Sequence, residues 1–193
     1  MKLIAINENG TPAEPLGPLP QLACDVCEPF RKFYNSQGFT PPWTGYLAEQ
    51  DEVIVGSCGF KGAPADNRVE IAYFTFPEFE GRGLATQMAR HLVDIALATS
   101  PEVTVAAQTL PEESASTAIL RKLGFILKET LIHPEDGQVW EWVYQGRTRP
   151  RKLLKQIMPE ISQKAQARGL TPEILNVRWS PKFRQVAKRE SRS

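Results

Sequence analysis

Apolar residues recur along the first 145 positions with two different periods, and the switches between them divide the chain into elements. Gln21–Gln37 carries Leu22, Val26, Phe30 and Phe33 at three- and four-residue spacing, which predicts a helix, and Gly38 stands where a C-cap is favoured. Residues 44–49 and Val53–Phe60 read as strands joined by a tight Asp51-Glu52 turn. Gly56 and Gly59 in the second strand predict a bulge or a close backbone approach. Residues 69–76 alternate and are rich in aromatic and β-branched side chains, so they make a third strand. Pro77, Gly81 and Gly83 then mark a turn, after which Leu84, Met88, Leu92, Ile95 and Ala96 return to helical spacing. Residues 103–109 form an apolar run of strand length. Pro111 and Glu112 predict the opening of another helix, with Ala115, Ile119, Leu120 and Leu123 inward and Gly124 as its cap. Two strands, 125–132 and 138–144, flank a hairpin turn that contains Asp-Gly. A short edge strand over residues 2–7 precedes an irregular stretch, 11–20, that holds four prolines. The predicted fold is α/β in the α+β sense: one domain over residues 1–145, with a mixed, mostly antiparallel sheet flanked by helices.

Charge changes this picture at the C-terminus. Residues 146–193 hold 13 Lys and Arg against 3 Glu, a net +10, whereas residues 1–145 hold 10 basic against 19 acidic side chains, a net −9. The chain is thus an acidic domain with a basic extension. In the extension, Leu153, Leu154, Ile157 and Ile161 repeat at helical spacing across Pro159, Gly169 suits a C-cap, and Thr171-Pro172-Glu173 suits a helix start. The extension can dock on the acidic domain or on a second copy in a homodimer, contact RNA or the ribosome through salt-sensitive phosphate affinity, or stay solvated; docking accounts best for its apolar residues. No apolar run approaches the ~20 residues of a membrane helix, and the first ten residues lack a signal-peptide core. Three cysteines are an odd number for a disulfide framework, so a cytoplasmic location is expected.

A strand, a glycine turn and a helix start in succession converge backbone N–H groups and the helix dipole on one spot, which suits a phosphate. A Walker loop is excluded because no Gly-Lys-Ser/Thr follows. A dinucleotide fingerprint fails at Thr86, where the third glycine belongs, and an antiparallel meander precedes the turn. The third reading is a coenzyme A pyrophosphate cradle. Here the motif Glu80-Gly81-Arg82-Gly83-Leu84-Ala85, followed at the usual separation by Glu113-x-x-Ser116-x-x-Ile119-Leu120-x-Lys122-x-Gly124-Phe125, resembles the GCN5-related N-acetyltransferase family, especially its branch acting on ribosomal-protein N-termini. The resemblance covers roughly residues 43–144. The family pattern has Gln or Arg at position 80 and Asn at position 113. Glu113 has no N–H to donate, and Ser114 beside it is a substitute donor. Some members carry a tyrosine acid at the position of Leu120.

The resemblance implies acetyl-CoA as co-substrate and an amine acceptor, either a peptide N-terminus or a small molecule. Gly81, Arg82, Gly83, Leu84, Ala85 and Thr86 would hold the pyrophosphate. Backbone groups of Phe74, Thr75 and Phe76 would pair with the pantetheine arm and polarise the thioester carbonyl, and Ser116 would meet the leaving thiolate. Direct attack by a neutral amine needs no acyl-enzyme. An α-amine is roughly 14% neutral at pH 7, against about 0.04% for a lysine amine, so the demand for a base depends on the acceptor. Glu70 is the candidate base, sharing a strand face with Ala72 and Phe74, whereas Tyr73 lies on the opposite face and is expected in the core. Cys24-x-x-Cys27, Cys58, His91 and His133 are too scattered for the four ligands of a zinc site, so no metal is expected. The substitutions at positions 113 and 120 keep open a non-catalytic coenzyme A-binding module, and the extension keeps open an RNA- or ribosome-associated protein.

Overall fold

Alternation of apolar and polar residues builds a seven-stranded sheet, seen in a computed structural model that describes residues 1–146. The basic extension, with its expected helical segments, lies outside the described residues apart from Gly146. The elements run β1 (Lys2–Ala5), α1 (Gln21–Gln37), β2 (Gly45–Gln50), β3 (Val53–Phe60), β4 (Arg68–Thr75), a 3₁₀ turn (Pro77–Phe79), α2 (Leu84–Thr99), β5 (Thr104–Thr109), α3 (Ala115–Leu123), β6 (Phe125–His133) and β7 (Gly137–Tyr144). The strand order is β1-β2-β3-β4-β5-β7-β6, with β1 at one edge as expected. Every pairing is antiparallel except β4 with β5.

Local chemistry accounts for most boundaries. Asp51 and Glu52 both have positive φ (53° and 63°), the turn whose twist matches a two-residue hairpin. Asp66 and Asn67 repeat the device before β4, at φ 49° and 57°. Gly56 and Gly59 fulfil both expectations for β3. The register with β2 slips between Ala48 and Glu49, opposite Gly56. A Cβ on Gly59 would lie 2.8 Å from the Gly45 Cα. One helix start differs from the expectation: α3 begins at Ala115, not at Pro111-Glu112. Ser114 is its N-cap, accepting from the Thr117 N–H while the Thr117 hydroxyl accepts from the Ser114 N–H. This reciprocal box satisfies two helix-start donors that Glu112 leaves open. Ala115 is accordingly exposed, and Thr117 takes the inward place.

The two faces of the sheet are covered differently. Val69, Ile71 and part of Tyr73 pack under α2 and α3 with Leu84, Met88, Leu92, Leu120, Leu123 and Trp142. Each such side chain, fully buried, contributes about 1.5–3 kcal/mol. The opposite face is covered by α1 over β1–β3, where Ala23, Cys27 and Tyr34 meet Ile4, Leu47 and Ile54. Glu70, Ala72 and Phe74 project from β4 on this second face, at the margin of α1.

Candidate active site

The parallel ladder between β4 and β5 is short: Arg68 faces Thr104, Val69 faces Val105 and Glu70 faces Ala106, and the pairing ends there. β4 nevertheless stays paired with β3 as far as Thr75, opposite Gly56. The second half of β4 therefore has one open side, and a gap widens between it and β5. Antiparallel alternation decides which backbone groups line this gap. The Glu70 carbonyl accepts from the Lys61 N–H (2.9 Å) and the Phe76 N–H donates to the Val55 carbonyl (2.9 Å), so even-numbered residues face β3. The Asn67 carbonyl accepts from Thr104 (2.8 Å), so odd-numbered residues face β5. The groups beside the gap are those of Tyr73 and Thr75. Of the three residues expected to offer backbone groups, Thr75 does so, whereas Phe74 and Phe76 turn theirs toward β3. The sequence shows the alternation but not its phase against β3, which hides the part of Tyr73.

Below the gap lies the glycine turn. Gly81 and Gly83 have φ of 73° and 75°, a conformation L side chains disfavour, and nothing lies within 4 Å of a Cβ added at either. Gly83 is the N-cap of α2, with no side-chain cap and no acidic residue in the first turn. The first N–H groups of α2 are thus left for an outside acceptor. Arg82 is exposed, donates to the Glu78 carbonyl at 3.1 Å and stacks 5.3 Å from the Phe79 ring centre. Leu84 is buried beneath the turn, and Ala85 and Thr86 are half-buried beside it.

Ser116 sits in the first turn of α3, across the gap from β4. Tyr73 connects the two sides, its hydroxyl donating to the Ser116 carbonyl at 3.5 Å. Tyr73 thus packs partly against the core, as expected, with its hydroxyl held at α3. Burial pushes the Tyr73 phenol up to about 12. Burial takes Tyr46 to about 12 as well. Unfolded tyrosines ionise near ~10. Above that pH the unfolded chain releases protons the fold retains, so stability is lost between pH ~10 and about 12. Urea midpoints measured across this range should fall, and Tyr73→Phe should make the fall shallower.

Glu70 is held within an ion cluster on the second face. Its side chain is 10% exposed, with Lys61 Nζ 2.6 Å from Oε1 and Arg68 Nη2 3.2 Å from Oε2. The Lys61 contact is an ion pair without hydrogen-bond geometry, and Oε1 has no hydrogen-bond partner. Arg68 also forks onto the buried Glu141, at 2.8 and 3.2 Å, and Gln108 Nε2 reaches Glu141 Oε2 at 3.3 Å. Burial works against the Arg68 charge, but its bonds to Glu141 and Glu70 outweigh this and raise its pKa. Sequence reasoning missed Arg68 and Glu141. The available signal was an acid at an inward position between Val139 and Val143.

The two departures in the second motif have local explanations. Glu113 is clamped by Arg121, with one N–O distance of 2.6 Å, and this hydrogen bonding lowers its pKa. Arg121 in turn lies 5.1 Å over the Trp142 ring. Leu120 is wholly buried in the core. Ser114 spends its side-chain oxygen on the helix cap. Cys24, Cys27 and Cys58 are free thiols, the last two buried. His133 Nδ1 accepts from the N–H groups of Glu135 and Asp136 and closes the β6–β7 turn. Among the described residues no group of three or more His, Cys, Asp and Glu is arranged to hold a metal, and no helix is long and apolar enough to cross a membrane.

A family model described as an acetyltransferase (GNAT) domain matches residues 19–126. No curated protein sequence matches the chain. Among solved structures, a variant of the spermidine N-acetyltransferase SpeG from Vibrio cholerae superposes with a TM-score of 0.55 at 12% identity, covering 75% of this chain and 94% of its own. The ribosomal-protein α-N-acetyltransferase RimL, in complex with coenzyme A, superposes with a TM-score of 0.50 at 17% identity, covering 64% of this chain and 71% of its own.

Proposed function

The chain belongs to the GNAT acetyltransferase domain family, and we propose that it transfers an acetyl group from acetyl-CoA directly to an amine. The observation that carries the proposal is the pairing of an uncapped, glycine-led helix start with a strand gap lined by the backbone of Tyr73 and Thr75. These two features fit the two ends of the coenzyme: N–H groups of Gly83 to Thr86 for its pyrophosphate, with Arg82 adding charge, and the β4 edge for its amide-bearing arm. Acetyl-CoA supplies an activated acyl carbon. The chain's own residues then have three tasks. A free β4 N–H draws charge from the thioester carbonyl. Glu70, whose two oxygens are held by Lys61 and Arg68, takes the ammonium proton. Ser116, in the first turn of α3, stabilises the departing thiolate.

A second reading, a coenzyme A-binding module without turnover, is favoured by two observations. Leu120 fills the place of an acid with a buried aliphatic side chain, and Glu113 is occupied by Arg121. Thermal unfolding followed by a thiol-release assay on an amine panel separates the two. Coenzyme A at 100 times its dissociation constant should add about 2.7 kcal/mol of stability. Stabilisation with thiol release supports the transferase, stabilisation without release on any amine supports the module, and no stabilisation rejects both.

A further inference from the structure

Resting on the acetyltransferase reading, we infer that the acceptor amine carries one compact apolar side chain, seated in a slot between α1 and the β3–β4 pair. The slot measures about 150 Å³ and is lined by Phe30, Ser57, Gly59, Lys61, Ala72 and Phe74. It lies on the same face of β4 as Glu70, and Ala72 is the next residue along that face, ~7 Å away. An amine nitrogen at Glu70 therefore places its neighbouring substituent over Ala72.

The walls are built for apolar contact. Phe30 presses so closely on β2 that a Cβ on Gly45 would sit 2.5 Å from its ring, and Gly59 lets the β2 backbone close in beside it, 2.8 Å from where its Cβ would be. Phe74 is 44% exposed at the mouth of the slot, a large aromatic surface left open where it meets the gap. Drug-sized ligands occupy pockets of about 300–1,000 Å³, whereas about 150 Å³ takes a benzene-sized guest. The slot thus receives one side chain, not a sugar ring system or a whole polyamine.

Charge points the same way. A polycation needs carboxylates with no other partner. Glu70 and Glu141 are already shared between Lys61 and Arg68, so the cluster holds two acids and two bases. Lys61 is also the charged residue of the slot lining, and it repels a second ammonium. A peptide N-terminus and a small α-amine both present an apolar side chain beside a single reacting nitrogen, and the experiment separates these sources.

The test uses the full chain with leucinamide, a Leu-initiated peptide, glycinamide and spermidine as acceptors. Leucinamide or the Leu peptide should exceed spermidine in kcat/KM by at least about tenfold, and the better of the two identifies the source. Ala72→Leu, which fills the slot from an exposed position, should raise KM for leucinamide about tenfold and turn the preference toward glycinamide. Binding is also read without turnover. Leucinamide should shift the amide resonances of Gly59 and Ala72 in the free protein and in its coenzyme A complex, and spermidine should not. Preference for spermidine, an equal loss of both amides in Ala72→Leu, or unmoved Gly59 and Ala72 resonances each overturn the inference. Failure of coenzyme A to stabilise the protein overturns the acetyltransferase reading instead, and the resonance test still decides the slot.

Discussion

Gly83→Val is expected to weaken coenzyme A binding by more than about a hundredfold while leaving the protein folded. The position has φ 75° and no atom within 4 Å of an added Cβ, so the first atom of a side chain there meets strain but no collision. A left-handed L residue costs about 1–2 kcal/mol, and a domain of this size loses roughly 2–4 °C of Tm per kcal/mol. The ligand loses far more. A side chain at the N-cap occupies the space through which the first N–H groups of α2 reach an anion. Hydrogen bonds to charged groups are worth about 1.5–3 kcal/mol each, so losing two exceeds a hundredfold in affinity. Gly83→Asn, which tolerates the left-handed region, should fold better and bind as poorly. Arg82→Ala should cost only a few-fold, because an exposed charge contributes about 0.2–1 kcal/mol and is screened by salt. Isothermal titration of the three variants ranks these effects. An Arg82→Ala loss larger than that of Gly83→Val would mean that side-chain charge, and not the backbone cradle, holds the coenzyme.

The glycine turn is legible in the sequence because it depends on neighbours. A strand, two glycines and a helix start are consecutive, and glycine marks the positive φ that the turn requires. The same holds for the Asp51-Glu52 hairpin, for Gly38 at the end of α1 and for the strands of the meander. Legibility fails where competing local signals or distant partners decide. Pro111-Glu112 is a sound helix start by composition, yet the Ser114–Thr117 box satisfies more donors and wins. The backbone offered to the gap is set by the register of β4 on β3, so the alternation alone marks Tyr73 as core. Arg68 and Glu141 lie 73 positions apart, and nothing in either neighbourhood announces the other. The slot needs α1 laid across β2 and β3, a packing that the spacing of Phe30 suggests only as an apolar face.

Arg68→Ala is expected to destabilise the fold by about 3 kcal/mol, the lower end for breaking a buried pair, since Arg68 itself is 33% exposed. The loss arises at Glu141, whose side chain is 5% exposed and keeps only the long Gln108 contact. Arg68→Lys should recover part of it, because an ammonium restores the charge but not the fork that engages both Glu141 oxygens. Arg68→Met combined with Glu141→Leu should recover most of it, since apolar replacement of a whole buried pair is often neutral. Denaturant midpoints of the wild type and the three variants measure this series. Activity is expected to part from stability in the double variant. Arg68 is also the residue that holds Glu70 Oε2, so Glu70 there is left to Lys61 alone, and kcat should fall while the KM for acetyl-CoA stays near wild type. A double variant that regains stability and full kcat would reduce the cluster to a strut. One that regains stability alone would make Arg68 the positioning residue for the base, with Glu141 the anchor that keeps the guanidinium aimed at it.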